Sequence, residues 1–447
     1  MDYISAFRSA LPSSAISVDS EILSSHGHDA SLGQDYQPAS IVVFPESDAE
    51  ISIILEISNR FSIPIVPRGA GTGMTGGCSV IGPCIVLSFA RMNRILELDL
   101  ANRIAVVEPG VITGDLQELA RSHGLYYPPD PASLDRCTIG GNVAENAGGP
   151  SAFKYGVTRQ YVTGLSGFYA DGTPFHLGGK LYKNVAGYDL LSLMVGQEGT
   201  LSVITKIYLR LIPYPRFRAT LRASFSDYDQ AIATLQAACT SSVYPAAAEF
   251  MDRTCVDAVR RHRGIEVPEG EAFVLFLLDG DQSECDVLRE VCLAHGASNI
   301  EIALSDEDQD AFWKIRRSVS ESLTAMSVAK RSHDIVVPPD QIGPYLKSAK
   351  ALGEENGVTV LGYGHLADGN IHVNILQTGT ALISESLTEK LLRLAVDMGG
   401  SITGEHGIGL TKKKYLNLMF SDRDIECMKA IKEAFDPKGL LNPGKIF

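Results

Sequence analysis

The sequence predicts an α+β fold divided into two or three domains, and three observations support this prediction. With 447 residues, the chain is too long for one compact core. Its first part opens strand–helix–strand and contains two segments dense in glycine, residues 68–77 and 128–149. After residue 215 glycine becomes sparse, and apolar runs typical of strands alternate with amphipathic helical patterns. We therefore expect a domain boundary between residues 214 and 215.

Composition excludes several classes of protein. The net charge of −14 argues against nucleic acid as the main partner. No stretch reaches the roughly 18 apolar residues that would span a bilayer, and the N-terminus lacks the basic and apolar regions of a signal peptide. The eight cysteines form no Cys-x-x-Cys motif, which argues against an iron–sulfur or zinc-ribbon site. We expect buried free thiols in a soluble cytoplasmic protein.

The first glycine-rich segment follows a strand–helix–strand pattern. A β-branched run at residues 41–44 precedes a helix with Ser47 as its N-cap, which extends to about residue 60, and a second strand covers residues 63–67. Residues 68–77 then contain the spacing Gly-x-Gly-x-x-Gly. A Rossmann motif should next open a helix, whereas the chain continues to a strand at residues 85–89. We therefore reject that fold and predict a loop whose backbone N–H groups surround a pyrophosphate.

The second glycine-rich segment, residues 128–149, has two further glycine pairs among Thr, Asn and Ser. Strands are predicted within residues 95–109 and at 162–169, and a helix at 112–123. This segment also suits a large polar cofactor.

The second half alternates between strands and helices. We predict strands at residues 219–225, 246–251, 272–278 and 335–338, and helices at 228–238, 254–261, 284–294, 312–324 and 388–397, with one more helix that ends at about residue 352 before Gly353. This rhythm fits an α+β cap domain. Helix 312–324 carries Arg316 and Arg317, and their spacing alone favours a solvated face over a carboxylate site.

A histidine hairpin at residues 364–374 is the strongest candidate site. A two-residue turn at Asp368-Gly369 predicts three cross-strand pairs: Ala367 with Asn370, Leu366 with Ile371, and His365 with His372. Opposed residues lie about 5 Å apart at Cβ, so both imidazoles can bind one divalent metal, with Asn374 on the same face. Glu405 is a candidate third ligand, and His406 is left for acid–base chemistry. A partly buried hairpin whose histidines only form hydrogen bonds is the alternative.

Together these segments resemble flavoproteins of the vanillyl-alcohol-oxidase/PCMH group, in the branch of glycolate oxidase D subunits, FAD-dependent D-lactate dehydrogenases and D-2-hydroxyglutarate dehydrogenases. The resemblance covers nearly the whole chain and rests on residues 67–77, 138–149, 183–190, 196–205, the histidine hairpin, 404–407 and 441–447. It implies a PCMH-type FAD-binding domain of two α/β subdomains at residues 1–214. An antiparallel-sheet and helix cap domain for the substrate would occupy residues 215–403, and a C-terminal segment, 404–447, would return to the FAD domain and complete the active site.

The resemblance also implies the FAD contacts. The first segment would contribute Arg68, Gly69, Ala70, Gly71, Thr72, Gly73, Met74, Gly76 and Gly77. The second would contribute Pro131, Ser133, Thr138, Ile139, Gly140, Gly141, Asn142, Gly148 and Gly149. Glu198, Gly199 and Ile204 would line the adenine or ribose side, and Asn442 would come from the tail. Some relatives attach flavin to a histidine in the first loop. This loop has Met74 and no histidine, so we expect non-covalent FAD.

For the chemistry, the resemblance implies a zinc ion, or Mn or Fe, bound by His365, His372 and Glu405. His406 would be the catalytic base. Arg316 would bind the substrate carboxylate, which replaces the solvated-face interpretation, and Asn374 would help to fix that carboxylate. Two positions depart from the family pattern: Gln197 stands where serine is usual, and Ser332 stands where a lysine is expected, with Lys330 nearby.

The implied activity is oxidation of a small D-2-hydroxy acid (D-lactate, glycolate or D-2-hydroxyglutarate) to the 2-oxo acid, with hydride transfer to flavin N5. Electrons would leave to an electron-transfer flavoprotein, an iron–sulfur subunit, a quinone or a cytochrome, and a membrane-bound acceptor would place the protein at the membrane periphery. A homodimer is compatible with the sequence. Two alternatives stay open: a non-catalytic FAD-binding subunit of an oxidase complex, and a non-redox flavin synthase of the alkyl-glycerone-phosphate type.

Overall fold

The computed structural model describes residues 2–31, 36–267, 269–365 and 367–447. The chain divides into two compact units. The first unit comprises Met1–Gly148, Val157–Tyr214 and Glu405–Phe447. The second comprises Gly149–Gly156 and Pro215–Gly404. None of the described helices is long and apolar enough to cross a membrane.

The described residues form mixed α/β secondary structure, as the sequence predicted. The strands are β1 Ile16–Ser17, β2 Ile41–Val43, β3 Ile65–Arg68, β4 Ile85–Ser88, β5 Ile95–Asp99, β6 Ile104–Val107, β7 Leu125–Tyr126, β8 Val162–Phe168, β9 Pro174–Gly178, β10 Val203–Arg210, β11 Ile212–Pro213, β12 Ala219–Phe225, β13 Ala247–Asp252, β14 Ala272–Leu278, β15 Ala297–Ala303, β16 Ala329–Val336, β17 Thr359–Tyr363 and β18 Asn370–Gln377. The helices are α1 Tyr3–Ala10, α2 Ser20–Ser25, α3 Asp48–Phe61, α4 Thr113–Ser122, α5 Ile139–Glu145, α6 Ala152–Tyr155, α7 Leu190–Met194, α8 Tyr228–Thr240, α9 Arg253–Arg263, α10 Ser283–Ala294, α11 Asp306–Met326, α12 Ile342–Glu355, α13 Glu385–Asp397 and α14 Asp422–Phe435. Short 3-10 turns lie at Ser13–Ala15, Phe89–Arg91, Thr158–Gln160, Pro339–Gln341 and Lys413–Leu418.

The described residues of the first unit form two larger sheets and a two-stranded ribbon, β11-β7. One sheet has the order β1-β2-β4-β3, in which β2, β4 and β3 run parallel, and α1 and α3 pack in its core. Ser47 caps α3 as predicted, since its side chain accepts a hydrogen bond from the Glu50 backbone N–H. No described helix lies between β3 and β4, which confirms that the glycine-rich loop is not a Rossmann motif. The other sheet, β5-β6-β10-β8-β9, is antiparallel.

The part of the second unit that the structure describes forms two antiparallel sheets, with strand orders β13-β14-β12-β15 and β16-β18-β17. One apolar core serves both sheets. It contains Met251 and Phe273 from the first sheet, Val259 from α9, Val319 from α11, and Leu361 from the second sheet. Because α11 packs in this core, the Arg316 side chain lies close to both sheets.

The predicted register of the histidine hairpin was wrong by two residues. Tyr363, not His365, pairs with His372, and β17 ends there. The cause is Gly364, whose N–H and C=O bond to the backbone of Phe250 on β13 (3.2 and 3.0 Å) and so leave the β17–β18 pairing. Gly364 has φ +147°, and a Cβ there would lie 2.8 Å from the Asn370 carbonyl oxygen. The predicted pairing of Leu366 falls outside the described residues.

Two further elements differ from the sequence prediction. Helix α12 does not stop before Gly353 but continues to Glu355. Glycine is needed there for close packing, because a Cβ would lie 2.7 Å from the Val360 side chain. The eight cysteines are free as expected, but only five are buried: Cys78 and Cys239 are partly exposed, and Cys427 is exposed.

Candidate functional site

The two histidines of the hairpin lie together despite the changed register. Their Nε2 atoms are 3.4 Å apart, and both side chains are buried. Two nitrogens about 2.1 Å from a tetrahedral ion are separated by about 3.4 Å, so this spacing suits a divalent metal. Tyr363, opposite His372 on β17, packs against its ring with centroids 5.4 Å apart.

Asn374 shares the strand and the face of His372, as predicted from the period of a strand. Its Nδ2 donates to the His372 carbonyl (2.9 Å). Its Oδ1 is buried and has no hydrogen-bond partner among the described residues. A buried acceptor without a donor is costly, which makes this oxygen a candidate ligand atom.

Strand β16 extends the same face. Asp334 lies opposite His372, and Ser332 lies opposite Asn374. The Asp334 carboxylate accepts hydrogen bonds from the Gly404 backbone N–H (2.8 Å) and the Thr403 hydroxyl (3.2 Å). Residues 403 and 404 are thereby fixed beside the strand that carries His372.

Glu249 on β13 is a member of this site that the sequence reasoning missed. Its side chain is fully buried, and its two carboxylate oxygens have different partners. Oε1 bonds to Nδ1 of His365, and Oε2 accepts from Nε of Arg316 at 2.5 Å. Burial would raise the pKa of Glu249, but the adjacent Arg316 and His365 outweigh it and lower that pKa to about 2.

The structure separates the two arginines of α11. Arg317 is half exposed and pairs with Asp310. Arg316 is 11% exposed, and its guanidinium carbon lies 4.7 Å from the centre of the Tyr363 ring. The solvated-face interpretation therefore holds for Arg317 and fails for Arg316.

Position 332 has a serine where the resemblance implies a lysine, and Lys330 lies nearby on the same strand. Both residues lie on the face of β16 that carries Asp334. The Lys330 ammonium donates to the carbonyl and the hydroxyl of Ser320 on α11 (2.6 and 2.8 Å). Burial lowers the pKa of Lys330 to about 8.

In the first unit, the glycine-rich loop is shaped by Arg68. The guanidinium is buried, and it donates to the His28 carbonyl (2.5 Å) and to Cys78 Sγ (3.2 Å). Gly71 has φ +74°, and a Cβ there would overlap this guanidinium. The Arg68 guanidinium thus packs against the loop and fixes its shape. The backbone N–H groups of residues 69–77 remain the predicted pyrophosphate contacts.

The second glycine-rich segment approaches the first closely. A Cβ at Gly69 would overlap the hydroxyl of Thr138, the residue that caps α5, and a Cβ at Gly77 would lie 2.8 Å from the Glu145 carboxylate. Asn142 is buried and donates to the Thr113 hydroxyl (2.7 Å). The two segments therefore form one cradle (residues 68–77 and 138–148), which side chains at these glycines would fill. Gly149 belongs to the second unit.

Two buried polar residues join the cradle to the C-terminal segment. The Glu198 carboxylate accepts from the backbone N–H groups of Ile408 and Gly409 (2.8 and 2.7 Å), and burial raises its pKa. Asn442 donates through Nδ2 to the carbonyls of Gly77 and Glu198 (both 2.7 Å). Its Oδ1 is buried and has no hydrogen-bond partner among the described residues. Gln197 has a structural role, because its Oε1 caps the backbone N–H groups of Leu201 and Ser202.

His406 lies next to the glycine-rich loop within the first unit. Its carbonyl accepts from the Thr75 hydroxyl (3.0 Å), and the Thr75 carbonyl accepts from the Leu410 backbone N–H (2.7 Å). Its imidazole Nε2 is 3.7 Å from the Glu405 carboxylate, and both side chains are partly exposed (22% and 16%). The predicted base thus stands beside the predicted flavin loop. Glu405 follows Gly404 by one peptide bond.

Comparison with known proteins gives consistent matches. Residues 39–178 match the FAD binding domain family, and residues 214–446 match the family described as FAD linked oxidases, C-terminal domain. The chain is 36% identical over 431 residues to the glycolate oxidase subunit GlcD of Bacillus subtilis (94% of this chain, 92% of that protein). It is 38% identical over 409 residues to a D-lactate dehydrogenase of Archaeoglobus fulgidus (91% of each). The structure of p-cresol methylhydroxylase is similar in fold, with a TM-score of 0.79 at 17% identity, covering 99% of this chain and 96% of that one.

Proposed function

The chain belongs to the FAD-linked oxidases, and from that membership and its buried histidine pair we propose that it oxidises a small D-2-hydroxy acid to the 2-oxo acid. It is an FAD-linked oxidoreductase of the D-lactate dehydrogenase and glycolate oxidase type. The observation that carries the substrate class is the 3.4 Å spacing of His365 and His372 beside Asn374, because such donors suit a metal that binds a hydroxyl and a carboxylate together.

The proposed FAD site is the glycine cradle of the first unit. Side chains at its glycine positions would fill the space that FAD needs. The Asn442 Oδ1 is a buried acceptor without a hydrogen-bond partner among the described residues, so it could accept a hydrogen bond from the cofactor. FAD is held there without a covalent bond. When bound, it supplies the acceptor for the hydride that leaves C2 of the substrate. The residues proposed as contacts are those the sequence implied, with Arg68 acting mainly through the shape of its loop.

The proposed metal ligands are His365, His372 and Glu405, with zinc as the favoured ion and Mn or Fe as alternatives. Two neutral imidazoles in a buried site suit zinc. The assignment of Glu405 as a ligand is supported by its place in the chain, directly after Gly404. Asp334 fixes Gly404 beside the His372 strand, and the next Cα follows about 3.8 Å on. When bound, a divalent ion supplies Lewis acidity that favours ionisation of the substrate hydroxyl.

The chain's own residues then have three proposed tasks. Arg316 binds the substrate carboxylate through its guanidinium, and Asn374 orients the same end of the substrate through Oδ1. His406 accepts the proton of the 2-hydroxyl. The partly exposed position of its imidazole suits a base that passes its proton on to water.

The alternatives receive less support. A non-catalytic FAD-binding subunit would be expected to lack the buried histidine pair, and a non-redox synthase would need a phosphate and acyl-chain site. The proposed electron acceptor is external: an electron-transfer flavoprotein, an iron–sulfur subunit, a quinone or a cytochrome. We further propose that the protein is a homodimer and that it is located in the cytoplasm or at the membrane periphery.

Product formation tests this function. The FAD-loaded protein is mixed with D-lactate, glycolate or D-2-hydroxyglutarate and an artificial electron-accepting dye, and the 2-oxo acid is identified by mass spectrometry. We expect pyruvate, glyoxylate or 2-oxoglutarate from at least one acid, at a rate that identifies the preferred substrate. Absence of all three products from flavin-loaded protein would reject the proposal.

The cradle makes a separate prediction for Gly71→Ala. A side chain at φ +74° costs about 1–2 kcal/mol, and it collides with the Arg68 guanidinium, so the loop moves and FAD binds about tenfold or more weakly. The ratio of flavin to protein absorbance after gel filtration measures this loss. Gly82→Ala in the same connection is the control, because a Cβ there has no atom within 4 Å. Equal FAD content in both variants would contradict the cradle.

A further inference from the structure

The buried carboxylate of Glu249 bonds to both His365, a proposed metal ligand, and Arg316, the proposed substrate-binding arginine. Phe250 and Gly364 exchange two backbone hydrogen bonds, so antiparallel register places the preceding residue, Glu249, beside the following residue, His365. The side chains meet there through Glu249 Oε1 and His365 Nδ1. The other oxygen, Oε2, accepts from Nε of Arg316.

This contact determines the form of the imidazole. A carboxylate oxygen only accepts, so Nδ1 of His365 carries the proton, and in the neutral imidazole Nε2 then keeps its lone pair. That Nε2 faces Nε2 of His372 at 3.4 Å. A metal needs this tautomer, because a protonated nitrogen cannot be a ligand.

We propose that Glu249 is the positioning residue of the site, which holds His365 in its metal-binding tautomer and fixes the guanidinium plane of Arg316. The inference rests on the proposed function, in which His365 binds the metal and Arg316 binds the substrate carboxylate. In this proposal Glu249 acts through His365 and Arg316, because its two carboxylate oxygens are bonded to these side chains. Its effect is to couple the two sites, because one carboxylate sets the orientation of both side chains.

The test is zinc affinity of Glu249→Gln, measured without substrate by competition with a chromogenic chelator. An amide has one acceptor and one donor group, so it cannot accept from both Nδ1 of His365 and Nε of Arg316. When its NH₂ faces Nδ1, the proton moves to Nε2 and the ligand is lost. We expect 10–100-fold weaker Zn²⁺ binding, the size typical for loss of a hydrogen-bond partner of a ligand histidine.

Glu301→Gln is the matched control. Glu301 lies on β15 of the same sheet and pairs with Arg222 (2.5 Å), so this variant also removes a carboxylate from an arginine but from no histidine. It should bind zinc like the wild type. Circular dichroism and flavin content at low temperature establish that each variant is folded, and a structural role alone would lower stability without changing zinc affinity. Wild-type affinity in folded Glu249→Gln overturns the proposal.

Glu249→Asp answers the case in which Glu249→Gln does not fold. It keeps a negative charge beside Arg316 but withdraws the carboxylate by about one C–C bond, roughly 1.5 Å. The same loss of zinc affinity is expected, and wild-type affinity in this variant would equally overturn the inference. A wild-type protein that binds no zinc would instead reject the metal site of the proposed function, so the two failures are distinguishable.

Discussion

His406→Ala is expected to lower turnover about a hundredfold or more while FAD stays bound, because the variant loses the proposed acceptor of the hydroxyl proton. The hydrogen bond that ties this residue to the glycine-rich loop uses its carbonyl, not its imidazole, so the loop should keep its shape. Steady-state turnover and the flavin-to-protein absorbance ratio measure the two effects.

The pH profile distinguishes loss of a base from general damage. A histidine base makes the wild-type rate rise with pH as the imidazole loses its proton, and this limb should disappear in His406→Ala. His123→Ala is the control, because His123 is an exposed histidine at the end of α4 in the same unit. Near-normal turnover in His406→Ala would remove the base assignment.

The second large effect is expected at the histidine pair. Purified protein should hold about one divalent ion per chain, and His372→Ala should lose both this ion and turnover, because the remaining nitrogen and carboxylate bind far more weakly. A chelator should stop the wild-type enzyme, and added metal should restore it. Elemental analysis and activity are measured on the same samples.

His333→Gln is the matched control for the metal. His333 is buried in the adjacent strand, β16, but it pairs with Val373 and so lies on the opposite face of the sheet. This variant should keep its ion. Full activity of a metal-free wild-type protein would refute the role of the hairpin.

The sequence predicted the local elements well where periodicity and capping decide them. The Ser47 cap, the β12–α8–β13–α9–β14–α10 succession and the loop that is not a Rossmann motif are examples. The histidine pair was also predicted, but for a wrong reason: the side chains meet although His365 does not oppose His372 across the hairpin.

The misses have a common physical cause, which is contact between distant parts of the chain. Gly364 leaves the hairpin because Phe250 takes its backbone hydrogen bonds, and Glu249 reaches His365 across 116 residues. No local pattern encodes either contact. Most of β16 was missed for another reason: Lys330, Ser332 and Asp334 give its site-facing side polar residues, so no apolar alternation marks the strand.

The central claim, that a hydroxy acid reduces the flavin of this protein, is tested most directly by anaerobic titration. The measurement needs no external acceptor, so it does not depend on the identity of the electron-accepting partner. Addition of D-lactate, glycolate or D-2-hydroxyglutarate to FAD-loaded protein should bleach the yellow flavin absorbance with at least one of the three acids. A flavin that stays oxidised with all three, in protein that holds its metal, would contradict the account.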